Sequence, residues 1–121
     1  MSLTHPIIKS FPFAFQGLKT ALKDEPNFKI HLTFALIAII LGFLLKLTGL
    51  EWLLLITTIA FVIIMELVNT SLESIVNLVS PEIKDAARKA KDVGAAAVLV
   101  SAIFSVAVGL LLFLPKILKL F

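Results

Sequence analysis

No cysteine occurs in this chain, which removes disulfide frameworks, thiolate metal sites and cysteine nucleophiles together. Charge is scarce as well: Asp, Glu, Lys and Arg make up only 16% of the 121 residues, well below the usual share in soluble domains. There is no Walker A pattern and no Gly-rich loop of the soluble-kinase kind, so the familiar nucleotide folds are excluded. The net charge of +3 is not gathered into a basic stripe with interleaved aromatics, which argues against a nucleic-acid partner.

What the chain has instead is apolar sequence, 60% of the residues. So short and apolar a chain cannot hide its surface from water. Lipid is the solvent that makes it stable, because a helix closes its own backbone hydrogen bonds and can then present Leu, Ile, Val and Phe to hydrocarbon. The expected class is all-α and integral to the membrane.

Three runs have the length of a span, which needs roughly 20 residues. The first is placed at 30–50 and the second at 52–79, joined by Thr48-Gly49-Leu50-Glu51. Ser80-Pro81-Glu82 has the form of a helix start, with Ser as N-cap, Pro at the first helical position and an acid in the first turn. A charged helical segment is therefore expected over 81–92, leading into a third span at 93–114. Ahead of these, Ile8, Phe11, Phe15, Leu18 and Leu22 recur every three or four residues. That spacing predicts an amphipathic helix over 6–24, lying in the membrane interface. All of it forms a single membrane domain, 1–121. The polar N-terminus and the missing small-residue cleavage site argue against an excised signal peptide.

Lys9, Lys19, Lys23, Lys29, Lys84, Arg88, Lys89 and Lys91 fall on one side of this arrangement, and Lys46, Lys116 and Lys119 on the other. The positive-inside rule then puts the N-terminus and the 81–92 segment in the cytoplasm and the C-terminus outside.

The second span carries the unusual residues. At about 100° per residue, Asn69 and Glu73 lie about 60° and 20° from Glu66 on the helical wheel, and Asn77 about 20° to the other side. An ionisable group at membrane depth costs at least about 2.5–3.5 kcal/mol on insertion scales, so this stripe needs protein, metal or water beside it rather than lipid. Carboxylates with amides between them also suit hard cations such as Mg²⁺. Asp24, Glu25, Lys91 and Asp92 reach the same membrane surface. A carboxylate cluster with Lys nearby meets the needs of phosphoryl transfer, and Gly94-Ala95-Ala96-Ala97 leaves room for close helix approach or for a nucleotide. Residue chemistry alone leaves a membrane enzyme, a cation-coupled transporter and a structural subunit open.

Residues 66–82, ELVNTSLESIVNLVSPE, and 87–99, ARKAKDVGAAAVL, closely resemble the bacterial integral-membrane diacylglycerol kinase and undecaprenol kinase family. The resemblance extends to 13–32, FAFQGLKTALKDEPNFKIHL, and so covers nearly the whole chain. It implies a homotrimer in the bacterial inner membrane, with sites shared between subunits, that phosphorylates a membrane lipid hydroxyl at the cytoplasmic surface using ATP and Mg²⁺. Carried residue by residue, it makes Glu66 the general base, close to the lipid hydroxyl, and Glu25 and Glu73 the Mg²⁺ ligands on ATP. Asn69 becomes a polar site residue beside both substrates, and Lys91 and Asp92 nucleotide contacts, Lys91 on phosphate. Lys9 and Gly17 match positions near the nucleotide. Asn77 departs from the family, many of whose members have an acid there. The segments NFKIHL and LVSPE look closer to the polyprenol branch than to the diacylglycerol branch.

Other polar residues receive plainer readings. His31 is expected to be an interfacial contact, His5 to be disordered near the terminus, and Trp52 to anchor the outer interface. Lys84, Asp85, Arg88 and Lys89 read as a solvated helix face with an Asp85–Lys89 pair.

Overall fold

The computed structural model describes residues 6–82 and 84–121; His5 lies outside them. Among the described residues the architecture is four helices: α1 (Ile7–Asp24), α2 (Pro26–Leu44), α3 (Gly49–Val79) and α4 (Asp85–Leu118). The last three are long and apolar enough to cross a membrane. Their outward faces carry Phe34, Leu36, Phe43, Ile56, Leu99 and Leu111, all exposed. Only lipid makes such surfaces stable, and the chain is a membrane protein.

The boundaries follow from local chemistry that hydropathy does not register. The first span begins at Pro26, four residues before the expected start, because Pro at the first helical position gives up an N–H that has no partner anyway. It ends at Leu44 rather than near Leu50. There Lys46 takes a left-handed conformation at φ 56°, and Leu47 N–H reaches back 3.1 Å to the Gly42 carbonyl while Lys46 N–H bonds Phe43. This is the double bond of a Schellman ending, with Lys in the place usually given to Gly.

Two residues later a capping box starts α3: Thr48 Oγ1 accepts from Glu51 N–H at 3.3 Å, and Glu51 accepts from Thr48 N–H at 3.0 Å. Gly49 and Leu50, expected in the connection, are thus already helical. Trp52, expected as an interface anchor, packs within the protein. It is half-buried, stacks obliquely on Phe43 at 4.7 Å, and occupies the space a Cβ on Gly42 would need.

The helix expected from Pro81 starts instead at Asp85. Ser80 closes α3 as its C-cap, and its hydroxyl donates to the Glu82 carbonyl at 2.9 Å; engaged there, it does not cap a following helix. From Asp85 the chain runs unbroken to Leu118, so the charged segment and the third span are one helix of 34 residues. In its first turn Asp85 pairs with Arg88 at 3.4 Å rather than with Lys89, and both side chains are exposed.

Antiparallel contacts tie α3 to α4 along their length: Glu51 with Lys116 at 3.1 Å, Leu55 clustered with Leu112 and Phe113, Phe61 edge-on to Phe104, and Asn69 and Leu72 against Gly94. α2 lies against this pair, and α1 rests on α2 and α3. With 31 residues, α3 is about 46 Å long at about 1.5 Å per residue. A hydrocarbon core is about 30 Å thick, so about a third of α3 exceeds it, and the polar residues of α3 lie at the end of the bundle where α1 lies and α4 begins.

Candidate functional site

Glu25 sits at the corner between α1 and α2, serving as C-cap of the first and N-cap of the second through its backbone alone. Its side chain makes no cap bond and is left for other duty. Loss of solvent pushes its carboxyl above the ordinary value of 4.5, and the nearby charges of Glu73, Glu66 and Asp24 push in the same direction. Two of those charges come from the polar stripe of α3, so the fold draws Glu25, Glu66 and Glu73 into one electrostatic neighbourhood.

Within that group Asn69 Nδ2 donates to Glu73 Oε1 at 3.3 Å. The amide thereby holds the carboxylate, and its own Oδ1 is left buried without a hydrogen-bond partner among the described residues. Gly94 makes this possible. A Cβ there would collide with Asn69 Oδ1 and stand 2.8 Å from Leu72 Cδ2, so the small residue serves helix approach at the site itself. Gly94→Ala is expected to keep the fold, because Ala favours the helix by about 0.8–1 kcal/mol and both obstacles are side-chain tips. It should nonetheless swing the Asn69 amide away from Glu73 and cost turnover on the order of 10²-fold, as displacements of about 1 Å do. Unchanged turnover in a folded Gly94→Ala protein would refute this.

Glu66 is the buried carboxylate among the described residues, only 4% exposed. Its Oε1 has no aligned hydrogen bond, although His31 Nε2 on α2 approaches it to 3.0 Å. Below this contact an apolar cleft of about 440 Å³ opens between α2, α3 and α4, with His31, Val62 and Ile63 near its head and Leu41 and Phe113 further down. Val62 and Ile63 precede Glu66 by four and three residues, so the cleft ends about one turn short of the carboxylate on the same face of α3, with His31 touching both. Thr58, also on its wall, is turned onto the Leu54 carbonyl at 2.7 Å.

The remaining expected residues are less tightly gathered. Lys91, three residues before Gly94, is half-buried and within about 60° of it on the helical wheel, toward α3. Asp92 is exposed and about 160° from Gly94, so it faces away from the carboxylates of its own chain. Gly17 lines a second cleft with Ala21 of α1 and Leu67, Thr70 and Ser71 of α3. Lys9, about two turns earlier on α1, is exposed. Asn77 is exposed at the far end of the stripe.

His31, expected as an interfacial contact, also meets Glu66 across the helices. The signal available was that two ionisable groups within apolar runs both need partners. One sequence does not show that positions 31 and 66 meet.

Among the described residues no three His, Asp or Glu side chains converge into a metal cage. Two carboxylates are what Mg²⁺ uses when phosphate oxygens and water complete its shell. The crowded charges around Glu25 and the unpartnered Asn69 Oδ1 fit such a cation, which would relieve both.

Residues 12–113 match the family model described as prokaryotic diacylglycerol kinase. The chain is similar to the undecaprenol kinase of Bacillus subtilis, with 38% identity over 109 residues that cover 90% of this chain and 89% of that protein. It is also similar to the diacylglycerol kinases of Synechocystis, 41% identical over 94% of this chain and 66% of that one, and of Escherichia coli K12, 31% identical over 83% and 82%.

Proposed function

Because the chain belongs to the prokaryotic diacylglycerol kinase family and is a membrane lipid kinase, we propose that it transfers the γ-phosphoryl group of ATP, with Mg²⁺, to the hydroxyl of a polyprenol such as undecaprenol, with diacylglycerol as second acceptor. The observation that carries this reading is the place of Glu66, buried between an apolar cleft on one side and the Glu25–Asn69–Glu73 group on the other. The lipid's chain enters from the cleft and the nucleotide from the polar end. Glu66 takes the proton of the lipid hydroxyl. That oxygen bonds to the γ-phosphorus as the bond from phosphorus to the ADP oxygen breaks. Glu25 and Glu73 would hold Mg²⁺, with Asn69 keeping Glu73 in place. Bound Mg²⁺ neutralises phosphate charge. Lys91 adds a cation for the phosphates.

The nucleotide end belongs to the cytoplasmic face of a bacterial inner membrane, in keeping with the distribution of basic residues. Asp92 faces away from its own chain's carboxylates, which supports a homotrimer in which it serves a neighbour's nucleotide. The undecaprenol preference is supported by the resemblance of 27–32 and 78–82 and by the Bacillus subtilis relative.

Purified protein in micelles, given Mg-ATP, is expected to phosphorylate undecaprenol faster than diacylglycerol. Equal or reversed rates would remove the preference, and failure with both lipids would remove the acceptor assignment. Gly17 offers a second check. A Cβ at Gly17 meets nothing within 4 Å, so Gly17→Ala should leave thermal stability unchanged or higher by up to about 1 kcal/mol. A rise in KM for Mg-ATP in that variant then reports a nucleotide lying against α1; an unchanged KM places the nucleotide elsewhere.

A further inference from the structure

The sequence suggests an interfacial contact for His31, yet its ring stands at the most demanding atom of the site. Glu66 Oε1 is buried and has no aligned hydrogen bond, and His31 Nε2 is 3.0 Å away. Among the described residues no Lys or Arg comes within ion-pair distance of that carboxylate, and His31 is the basic side chain that does. The two side chains are 22% and 5% exposed, so water does little to substitute. We propose that His31 is a positioning residue: its Nε2–H holds Glu66 through Oε1 and thereby presents Oε2 to the lipid hydroxyl at the head of the apolar cleft. This inference rests on the kinase reading above.

Three features of the geometry support it. A carboxylate that must accept a proton from a substrate needs one oxygen held and the other free, and His31 Nε2, 3.0 Å from Oε1, stands where a single donor would give that division. The donor comes from α2, a different helix from the one carrying Glu66, so the contact fixes the carboxylate against rotation about its own side chain. His31 also lines the cleft, so the holding group and the lipid chain share one wall. The misaligned N–H fits a ligand-free site, in which catalytic hydrogen bonds are commonly loose and tighten when substrate enters.

Two amide substitutions separate positioning from packing. In His31→Gln the side-chain nitrogen reaches roughly where Nε2 stands, whereas in His31→Asn it stops at the level of Nδ1. Assays of the full chain in micelles with Mg-ATP and undecaprenol or diacylglycerol, with folding checked by thermal unfolding, should show His31→Asn losing about 10- to 10²-fold in kcat. KM for Mg-ATP should not change, and His31→Gln should recover most of the loss. Placed on a Glu66→Gln background, His31→Asn should cost nothing further, because it acts through that carboxylate.

Equal losses in the Asn and Gln variants, an additive loss on the Glu66→Gln background, or full activity in His31→Asn would each overturn the role of His31 while leaving the kinase reading intact. Absence of turnover in the unsubstituted protein with both lipids removes the acceptor assignment, and this inference with it.

Discussion

Glu66→Gln is expected to lower kcat for lipid phosphorylation by about 10²–10⁴-fold, the range general-base catalysis contributes, while KM for Mg-ATP stays near its original value. The substitution is nearly isosteric. It replaces a carboxyl at a position that is 4% exposed and whose Oε1 has no aligned hydrogen bond, so folding should not suffer. What is lost is an acceptor basic enough for the hydroxyl proton. Glu25 and Glu73 remain, with Asn69 still donating to Glu73, so the group proposed to hold Mg-ATP is intact. Steady-state assays in micelles, with ATP and lipid varied separately, read the two parameters directly. A rise in KM for Mg-ATP with kcat preserved would exchange the roles of Glu66 and Glu73.

The placement of these glutamates is only half legible in the sequence. The stripe of Glu66, Asn69 and Glu73 follows from helical spacing, and its cost in lipid says that it needs partners. The structure adds depth: Glu66 is buried beside the cleft, whereas Glu73 is half-buried one turn beyond Asn69 and held by it. Periodicity places residues around a helix but does not say which neighbouring helix covers them. For that reason the meeting of His31 with Glu66, and of Gly94 with Asn69, lay beyond a single sequence. The three long helices are legible because span length and apolarity are properties of the local chain. Helix ends are less legible at Lys46 and at Ser80. A Schellman ending with a non-glycine residue carries no compositional mark, and a Ser-Pro-Glu triplet serves a helix stop there although it has the form of a start.

Glu73→Gln should raise the Mg²⁺ concentration for half-maximal activity by at least about 10²-fold, since even the loss of outer-shell partners costs 10–100-fold in metal affinity. The same substitution removes one of the charges that hold the Glu25 carboxyl above its ordinary value, and this gives a second, independent readout. With a raised value, folded protein binds more protons at Glu25 than unfolded protein does in the window from 4.5 up to the folded value. Stability of the metal-free protein therefore falls as pH rises through that window. Mg²⁺ reverses the sign: it needs the ionised carboxylate, so its affinity grows over the same window, and binding to the folded state stabilises it by mass action. Thermal unfolding in micelles across a pH series should show the two trends diverging, Tm falling without Mg²⁺ and rising with it. Glu25→Gln should flatten both, and Glu73→Gln should narrow the window and weaken the response to Mg²⁺. Parallel curves with and without Mg²⁺ in the unsubstituted protein would take Glu25 out of the metal site.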